Sequence, residues 1–268
     1  MTEPRAEIGI FGGSGFYALE GATETVDIDT PFGRPSALVT IAEIAGRRVA
    51  FLPRHGSHHT LPPHKINYCA NMWAMHSLGV TRVLGPCACG SLQADIHPGD
   101  FVVIDQYVDR TSGRKDTIYD GPEVYHLSSA HPYCPEMREI TIGAVRDAGV
   151  TCHTTGTMVV IQGPRFSTVA ESQWFTNMGW HTVSMTQYPE AHLAREFGMC
   201  YCCIALVTDY DTGIVAMRHI PPVTFQEVVR VFEQNVHRVQ QVVRMIVERM
   251  PIVPACACKA EIEKARIN

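Results

Sequence analysis

The 268-residue chain predicts a single α/β domain, a mixed central sheet flanked by helices. Two observations carry this reading. Short β-rich apolar runs alternate with stretches of helical period for most of the length. At 46% hydrophobic residues the chain can bury a large core, as one domain or a tightly fused pair.

The first strand, over 7–11, runs into Gly12-Gly13-Ser14-Gly15. A turn of this kind lets backbone N–H groups approach an anion, and Ser14 adds a hydroxyl donor. Gly13, Gly15 and Ala18 match a loose dinucleotide fingerprint, but residues 21–35 lack the helix that fingerprint requires. An NAD-dependent oxidoreductase is therefore a distant alternative. No lysine follows the glycines, which excludes a Walker-type loop.

Strands over 37–44 and 48–52 follow, the second ending in Pro53-Arg54-His55-Gly56. Arg54 offers a fork of donors to phosphate, and His55 adds another. His55, His58 and His59 find no carboxylate or cysteine within this segment to complete a metal site. A helix near 67–78 and a strand over 82–84 lead to a third glycine turn, Gly85 to Ser91. After a strand over 101–105, residues 110–135 are polar and aperiodic, and a loop this long serves function or an interface.

A helix over 135–147, a strand over 157–161, a helix over 168–177 and a strand over 182–185 continue the alternation. The last of these ends in a fourth turn, Met185-Thr186-Gln187-Tyr188, before a helix over 189–197. Ligands of α/β sheets gather at the carboxyl ends of strands, so the four turns read as one distributed oxyanion site. No Gly-x-Ser-x-Gly nucleophile motif is present.

The run over 202–208 has the composition of a buried strand and ends in Thr208-Asp209-Tyr210-Asp211. Strand alternation sends Asp209 and Asp211 out on one face. Two carboxylates sharing a site resist ionising together, so one can keep a proton and donate it to a ring nitrogen. The plainer reading is a turn of solvated aspartates. Phe225, Val229, Phe232, Val236, Val239, Val243, Ile246 and Met250 then mark the apolar stripe of a final helix. Thr224 and Glu227 have the spacing of its capping box. The domain is placed at 1–254, with 255–268 a peripheral tail.

A net charge of −5 and a pI near 6.2 give no global attraction to nucleic acid or an anionic membrane. No apolar stretch reaches the ~18–20 residues of a membrane span. The opening residues carry no apolar segment, so a cytoplasmic enzyme is expected. Of ten cysteines, Cys69, Cys200, Cys202 and Cys203 read as small buried hydrophobes. Cys200 and Cys203 have C-x-x-C spacing, but with no second pair to complete a ligand set, no metal is expected. Cys256 and Cys258 read as reduced terminal thiols, with a redox or disulfide role as the alternative.

Seven motifs occur in order: Gly12-Gly13-Ser14-Gly15, Arg54-His55-Gly56, Ala88-Cys89-Gly90-Ser91-Leu92, Asp105-Gln106-Tyr107-Val108-Asp109-Arg110-Thr111, Gly163-Pro164-Arg165-Phe166-Ser167, Met185-Thr186 with Pro189-Glu190, and Thr208-Asp209-Tyr210-Asp211. Together they resemble the methylthioadenosine phosphorylase branch of the trimeric purine nucleoside phosphorylases, from about residue 7 to 250. The resemblance implies a nucleoside phosphorylase fold. It implies cleavage of a purine nucleoside's glycosidic bond by inorganic phosphate, with no metal or organic cofactor. By similarity of position, Ser14, Arg54, His55, Cys87, Ala88 and Thr186 would hold phosphate. Met185 would lie against the ribose, Phe166 and Ser167 near the base, and Asp209 and Asp211 at the purine N7 and exocyclic edge. His59, Phe225 and Val228 would line the 5′ pocket, and His126 would arrive from a neighbouring subunit of a homotrimer.

The sequence departs from that pattern in places. Cys87 stands where threonine is usual, and a thiol is the weaker donor. Ser184 replaces asparagine, and Gln187-Tyr188 replaces small or apolar residues. Phe225 is bulkier than the usual aliphatic residue, which suits 5′ groups smaller than methylthio, such as a halogen. An ionised Asp211 accepts from the amino group of adenine, whereas a 6-oxopurine such as that of methylthioinosine or inosine needs a donor there. A non-catalytic nucleotide-binding protein would bind nucleoside without phosphate-dependent turnover.

Overall fold

Ile8-Gly9-Ile10-Phe11-Gly12 is buried at every position, as befits a strand covered on both faces. The computed structural model describes residues 5–13, 16, 21–213 and 221–267. Among these, β1 (Ile8–Gly12) is followed by β2 (Ala22–Val26), β3 (Val39–Ile44), β4 (Arg47–Pro53), α1 (Tyr68–Ser77) and β5 (Arg82–Leu84). Next come β6 (Cys87–Ser91), β7 (Phe101–Val103), β8 (Gln106–Arg110), α2 (Pro135–Asp147), β9 (Cys152–His153), β10 (Thr157–Ile161) and α3 (Val169–Asn177). The chain continues through β11 (Thr182–Ser184), α4 (Gln187–Glu196), β12 (Cys200–Cys202), β13 (Ile204–Asp209), α5 (Phe225–Arg249) and α6 (Cys258–Ala265).

The α/β class is as expected, but the single central sheet is in fact two sheets. One is six-stranded in the order β12-β5-β1-β4-β3-β2, the other seven-stranded in the order β8-β10-β11-β6-β13-β7-β9. Both are mixed: β1 runs parallel to β4 and β5 while β3 is antiparallel to β4. In the other sheet, β13 is parallel to β6 and antiparallel to β7. Two stretches pass from the first sheet to the second, breaking at Gly85-Pro86 and at Cys203. The strand expected over 202–208 is therefore two strands.

Close packing explains the first break. A Cβ at Gly85 would lie 1.9 Å from the Tyr201 hydroxyl, and Pro86 has no N–H to give a ladder. Hydrophobic periodicity cannot register this, because the residues on both sides are equally apolar.

The helices follow their local signals. Asn67 caps α1 by accepting from the Ala70 N–H, and Thr168 with Glu171 closes a capping box on α3. The box expected on α5 is half formed. Thr224 accepts from the Glu227 N–H at 3.3 Å, but the Glu227 carboxylate turns to Arg230. Phe232, Val239, Val243, Ile246 and Met250 bury the expected stripe, and the helix packs on α2 and β13. At its start the stripe shifts, with Val228 facing inward and Phe225 48% exposed.

The polar segment after β8 is held down by ion and backbone contacts. Thr117 Oγ1 and the Ile118 N–H both donate to Glu196 at 2.8 Å, and Arg114 Nη2 donates to the Gln162 carbonyl at 2.9 Å. Beyond residue 254, α6 lies along α4, Glu261 pairs with Arg195, and Cys258 is buried. Among the described residues no helix is long and apolar enough to cross a membrane.

Candidate active site

A cavity of about 300 Å³ opens where β4, β10, β11 and β13 end and β6 begins. Arg54, His55, Cys87, Ala88 and Thr186 line one part of it. Phe166, Met185, His59, Phe225, Val228, Asp209 and Asp211 line the rest. Ser14 lies outside the described residues. Ser167 is off the wall, beside the Asp211 carboxylate. His126 is exposed and also off the cavity wall, and its N–H donates to the Ala265 carbonyl.

The two aspartates reach the cavity by a route that strand alternation does not describe. β13 ends at Asp209 after a bulge between Val207 and Asp209, so Asp211 is already beyond the strand. Asp211 takes a left-handed turn with φ of 53°, and its N–H donates to Asp209 Oδ1 at 2.7 Å. Thr208 Oγ1 donates to the other Asp209 oxygen at 2.7 Å. Gly90 makes room for this turn, since a Cβ there would stand 2.8 Å from Asp209 Oδ1.

Burial pushes the Asp209 carboxyl up from its ordinary 3.8 to about 6, against the two hydrogen bonds that favour its ionised form. The Asp211 charge adds to the rise but is a lesser cause than burial. The like charge that the sequence points to is thus the smaller of the two effects that raise this carboxyl. Burial also raises Asp211, while Ser172 and Ser167 pull it back. Its Oδ2 is buried and, among the described residues, meets no hydrogen-bond donor.

At the other end Arg54 is fully buried. Its Nε and Nη2 grip Glu190 at 2.9 and 2.8 Å, and Nη1 donates to the Pro86 carbonyl at 2.9 Å. Tyr201 donates to the same carboxylate at 2.8 Å. Three of the five guanidinium N–H groups are therefore used in holding it. Glu190 was visible within a motif but carried no assigned role. Its partner lies 136 positions earlier, beyond any local signal.

His55 Nδ1 donates to the Leu61 carbonyl at 2.9 Å, and burial lowers its pKa to about 3. The ring is neutral near pH 7, and its other nitrogen is an acceptor, where the sequence reading supposed a donor. Cys87 Sγ meets Cys203 Sγ at 3.8 Å, so the thiol is shared with the core. Thr186 is buried and makes no capping bond at the start of α4.

The remaining wall is apolar and aromatic. His59 stacks on His55 with centroids 4.3 Å apart, and Phe225 lies 5.6 Å from His59. Pro63, Ile161 and Val183, which the sequence reading had not singled out, add further lining. Gln187 and Tyr188 are turned away, toward the Gly85 carbonyl and Asp116, so their unusual identities do not shape the cavity. Ser184 lines it with its hydroxyl directed at Met158 Sδ, 3.0 Å away.

The family model of the phosphorylase superfamily matches residues 7–248. The chain belongs to the phosphorylase superfamily. An S-methyl-5′-thioadenosine phosphorylase of Thermofilum pendens is 46% identical over 265 residues, covering 98% of this chain and 99% of that one. A purine nucleoside phosphorylase of Streptomyces coelicolor is 48% identical, covering 92% and 90%. Among solved structures, the methylthioadenosine phosphorylase of Schistosoma mansoni in complex with adenine superposes with a TM-score of 0.91 at 36% identity, covering 97% and 99%. This phosphorylase is accordingly a pentosyltransferase with the nucleoside phosphorylase fold. Its cavity is lined both by the Arg54 guanidinium and by the raised Asp209 carboxyl.

Proposed function

We propose that this phosphorylase cleaves a 5′-substituted 5′-deoxyadenosine, resembling 5′-methylthioadenosine, with inorganic phosphate to give adenine and a 5-substituted ribose 1-phosphate. The observation that carries the reading is Asp209, a buried carboxyl raised to about 6 across the same cavity from Arg54. Relatives named S-methyl-5′-thioadenosine phosphorylase, at 46% and 50% identity, support it.

Phosphate would sit between Arg54, the Thr186 hydroxyl and backbone N–H groups, beneath the ribose. As the C1′–N9 bond breaks, its electron pair moves onto the base while Asp209 gives its proton to N7. The phosphate dianion stabilises the cationic sugar and then forms the C1′–O bond. The Asp211 carboxylate, on the cavity wall, would accept from the 6-amino group. Met185 would back the ribose, Phe166 the base, and His59, Phe225 and Val228 the 5′ substituent. Phosphate is a co-substrate, and the step as written needs no metal or organic cofactor.

One observation favours a second reading. Burial raises the Asp211 carboxyl too, and a protonated Asp211 would donate to the oxygen of a 6-oxopurine. Base release from 5′-methylthioadenosine, methylthioinosine, inosine, adenosine and a 5′-halo analogue, with and without phosphate, separates the two. The proposal expects the 5′-substituted adenosines to lead. Hypoxanthine release from methylthioinosine at a higher kcat/KM would favour the second reading, and phosphate-independent behaviour with all five would end both.

A cytoplasmic homotrimer completes the proposal. His126 is exposed in the isolated chain, where a neighbouring copy could bring it to the 5′ side. Mixing His126→Ala and Asp209→Asn chains under exchange conditions should restore activity if sites are shared. Failure to complement, or a monomer by light scattering, would remove this part.

A further inference from the structure

Four of the cysteines, none of which lines the cavity described above, meet at a single point. The Sγ atoms of Cys134, Cys200, Cys256 and Cys258 all lie within 4.8 Å of one another, and Cys200 and Cys256 are 3.2 Å apart. The sequence reading saw no second pair to join Cys200. The fold supplies one by bringing the tail back onto the body.

We propose that these four thiolates form a structural site for one tetrahedral soft divalent metal ion, zinc being the best fit. Bonds of about 2.3 Å from a tetrahedral zinc place its sulfurs about 3.8 Å apart, a spacing between the 3.2 Å of Cys200–Cys256 and the 4.8 Å that bounds this cluster. A disulfide needs only one sulfur neighbour for each cysteine, whereas here each sulfur faces three others. Thiolates are the ligands that favour zinc over harder cations, and a four-sulfur shell is the closed type used for structure.

The surroundings are organised to hold the ligands. Cys134 stands at the N-cap of α2, and its N–H donates to the Tyr201 carbonyl at 2.9 Å, beside Cys200. Cys258 is the first residue of α6. Two helix N-termini therefore face the cluster, and their partial positive charge suits a metal–thiolate group of net charge −2. The Ala255 N–H donates to both oxygens of Glu136, at 3.1 and 3.2 Å, which fixes the chain just before Cys256. Cys134, Cys200 and Cys258 are buried, and Cys256 is partly exposed, leaving a path for the ion. Binding exchanges four thiol protons for one dication and ties α6 to α2 and β12.

The test uses the full-length protein expressed with zinc in the medium and freed of loosely held metal by gel filtration. Elemental analysis should give about one zinc per chain, and the Cys256→Ser/Cys258→Ser double variant less than about a tenth of that. Reduced, metal-free protein titrated with Co²⁺ should show thiolate charge-transfer and tetrahedral ligand-field bands saturating at one equivalent. In the zinc-loaded protein the four thiols should resist alkylation until a chelator is added. A metal-free protein whose cysteines are oxidised to disulfides as purified would overturn the proposal. So would a reduced protein that binds neither ion, or a double variant that keeps its zinc.

Discussion

The Asp211 N–H donates to Asp209 Oδ1 at 2.7 Å, so the left-handed turn at Asp211 also fixes the carboxylate it follows. With Thr208 holding the other oxygen, both oxygens of the proposed proton donor are restrained by hydrogen bonds. Replacing Asp209 by asparagine keeps the shape and removes the titrating proton. Turnover should fall by a hundredfold or more, at the scale of about 10²–10⁴ for a lost general acid.

The same substitution should stabilise the fold. Asp209 holds its proton more tightly folded, at about 6, than at its ordinary 3.8, so the folded state binds more protons between those values. Stability from this group therefore falls as pH rises through that window, by at most about 3 kcal/mol, and stays reduced above it. Thermal melts at pH 8 should show Asp209→Asn to be more stable than the parent, and equal or lower melting would refute the burial argument.

Acidification acts on His55 with the opposite sign. Its folded pKa of about 3 lies below the ordinary 6.5, so the unfolded chain takes up the proton first as pH falls below 6.5. Between about pH 7 and 5 this costs about 2 kcal/mol of stability. His55→Asn keeps a donor for the Leu61 carbonyl and should flatten the loss over that range, as read by denaturant midpoints. An unchanged acid slope would mean that the ring does not stay neutral when buried.

Glu190→Gln would strand the Arg54 guanidinium in a fully buried site. Breaking one partner of a buried pair costs about 3–5 kcal/mol. In protein that still folds, KM for phosphate should rise more than KM for the nucleoside, because Arg54 loses the carboxylate that aims it. An effect confined to the nucleoside KM would place the anion elsewhere.

Gly90→Ala tests the tight approach of β6 to the aspartate turn. The new Cβ would stand 2.8 Å from Asp209 Oδ1 and 3.1 Å from the Asp211 nitrogen. Because the second contact is backbone, the turn itself must shift, and kcat should drop by about tenfold or more for a misplacement of this kind. Wild-type kcat in a properly folded variant would show that the turn tolerates displacement.

The sequence made the Asp209/Asp211 edge, Arg54, His55 and Thr186 legible because each ends an apolar run at a turn with distinctive chemistry. What it could not show depends on distance in three dimensions. The Arg54–Glu190 pair, the sheet crossings at Gly85 and Cys203, and the meeting of Cys134 and Cys200 with Cys256 and Cys258 join segments far apart in the chain. The final helix was read correctly as a stripe, yet its first turn rotated Val228 inward and left Phe225 half exposed, since the cavity rather than the core sets that end.

The most direct measurement of the central claim is the product balance from 5′-methylthioadenosine in the presence and absence of inorganic phosphate. The account predicts adenine and a pentose 1-phosphate in equal amounts, with one phosphate consumed for each base released and no release without phosphate. Base released without phosphate and with free pentose as the product, or tight binding with no turnover in either condition, would contradict it.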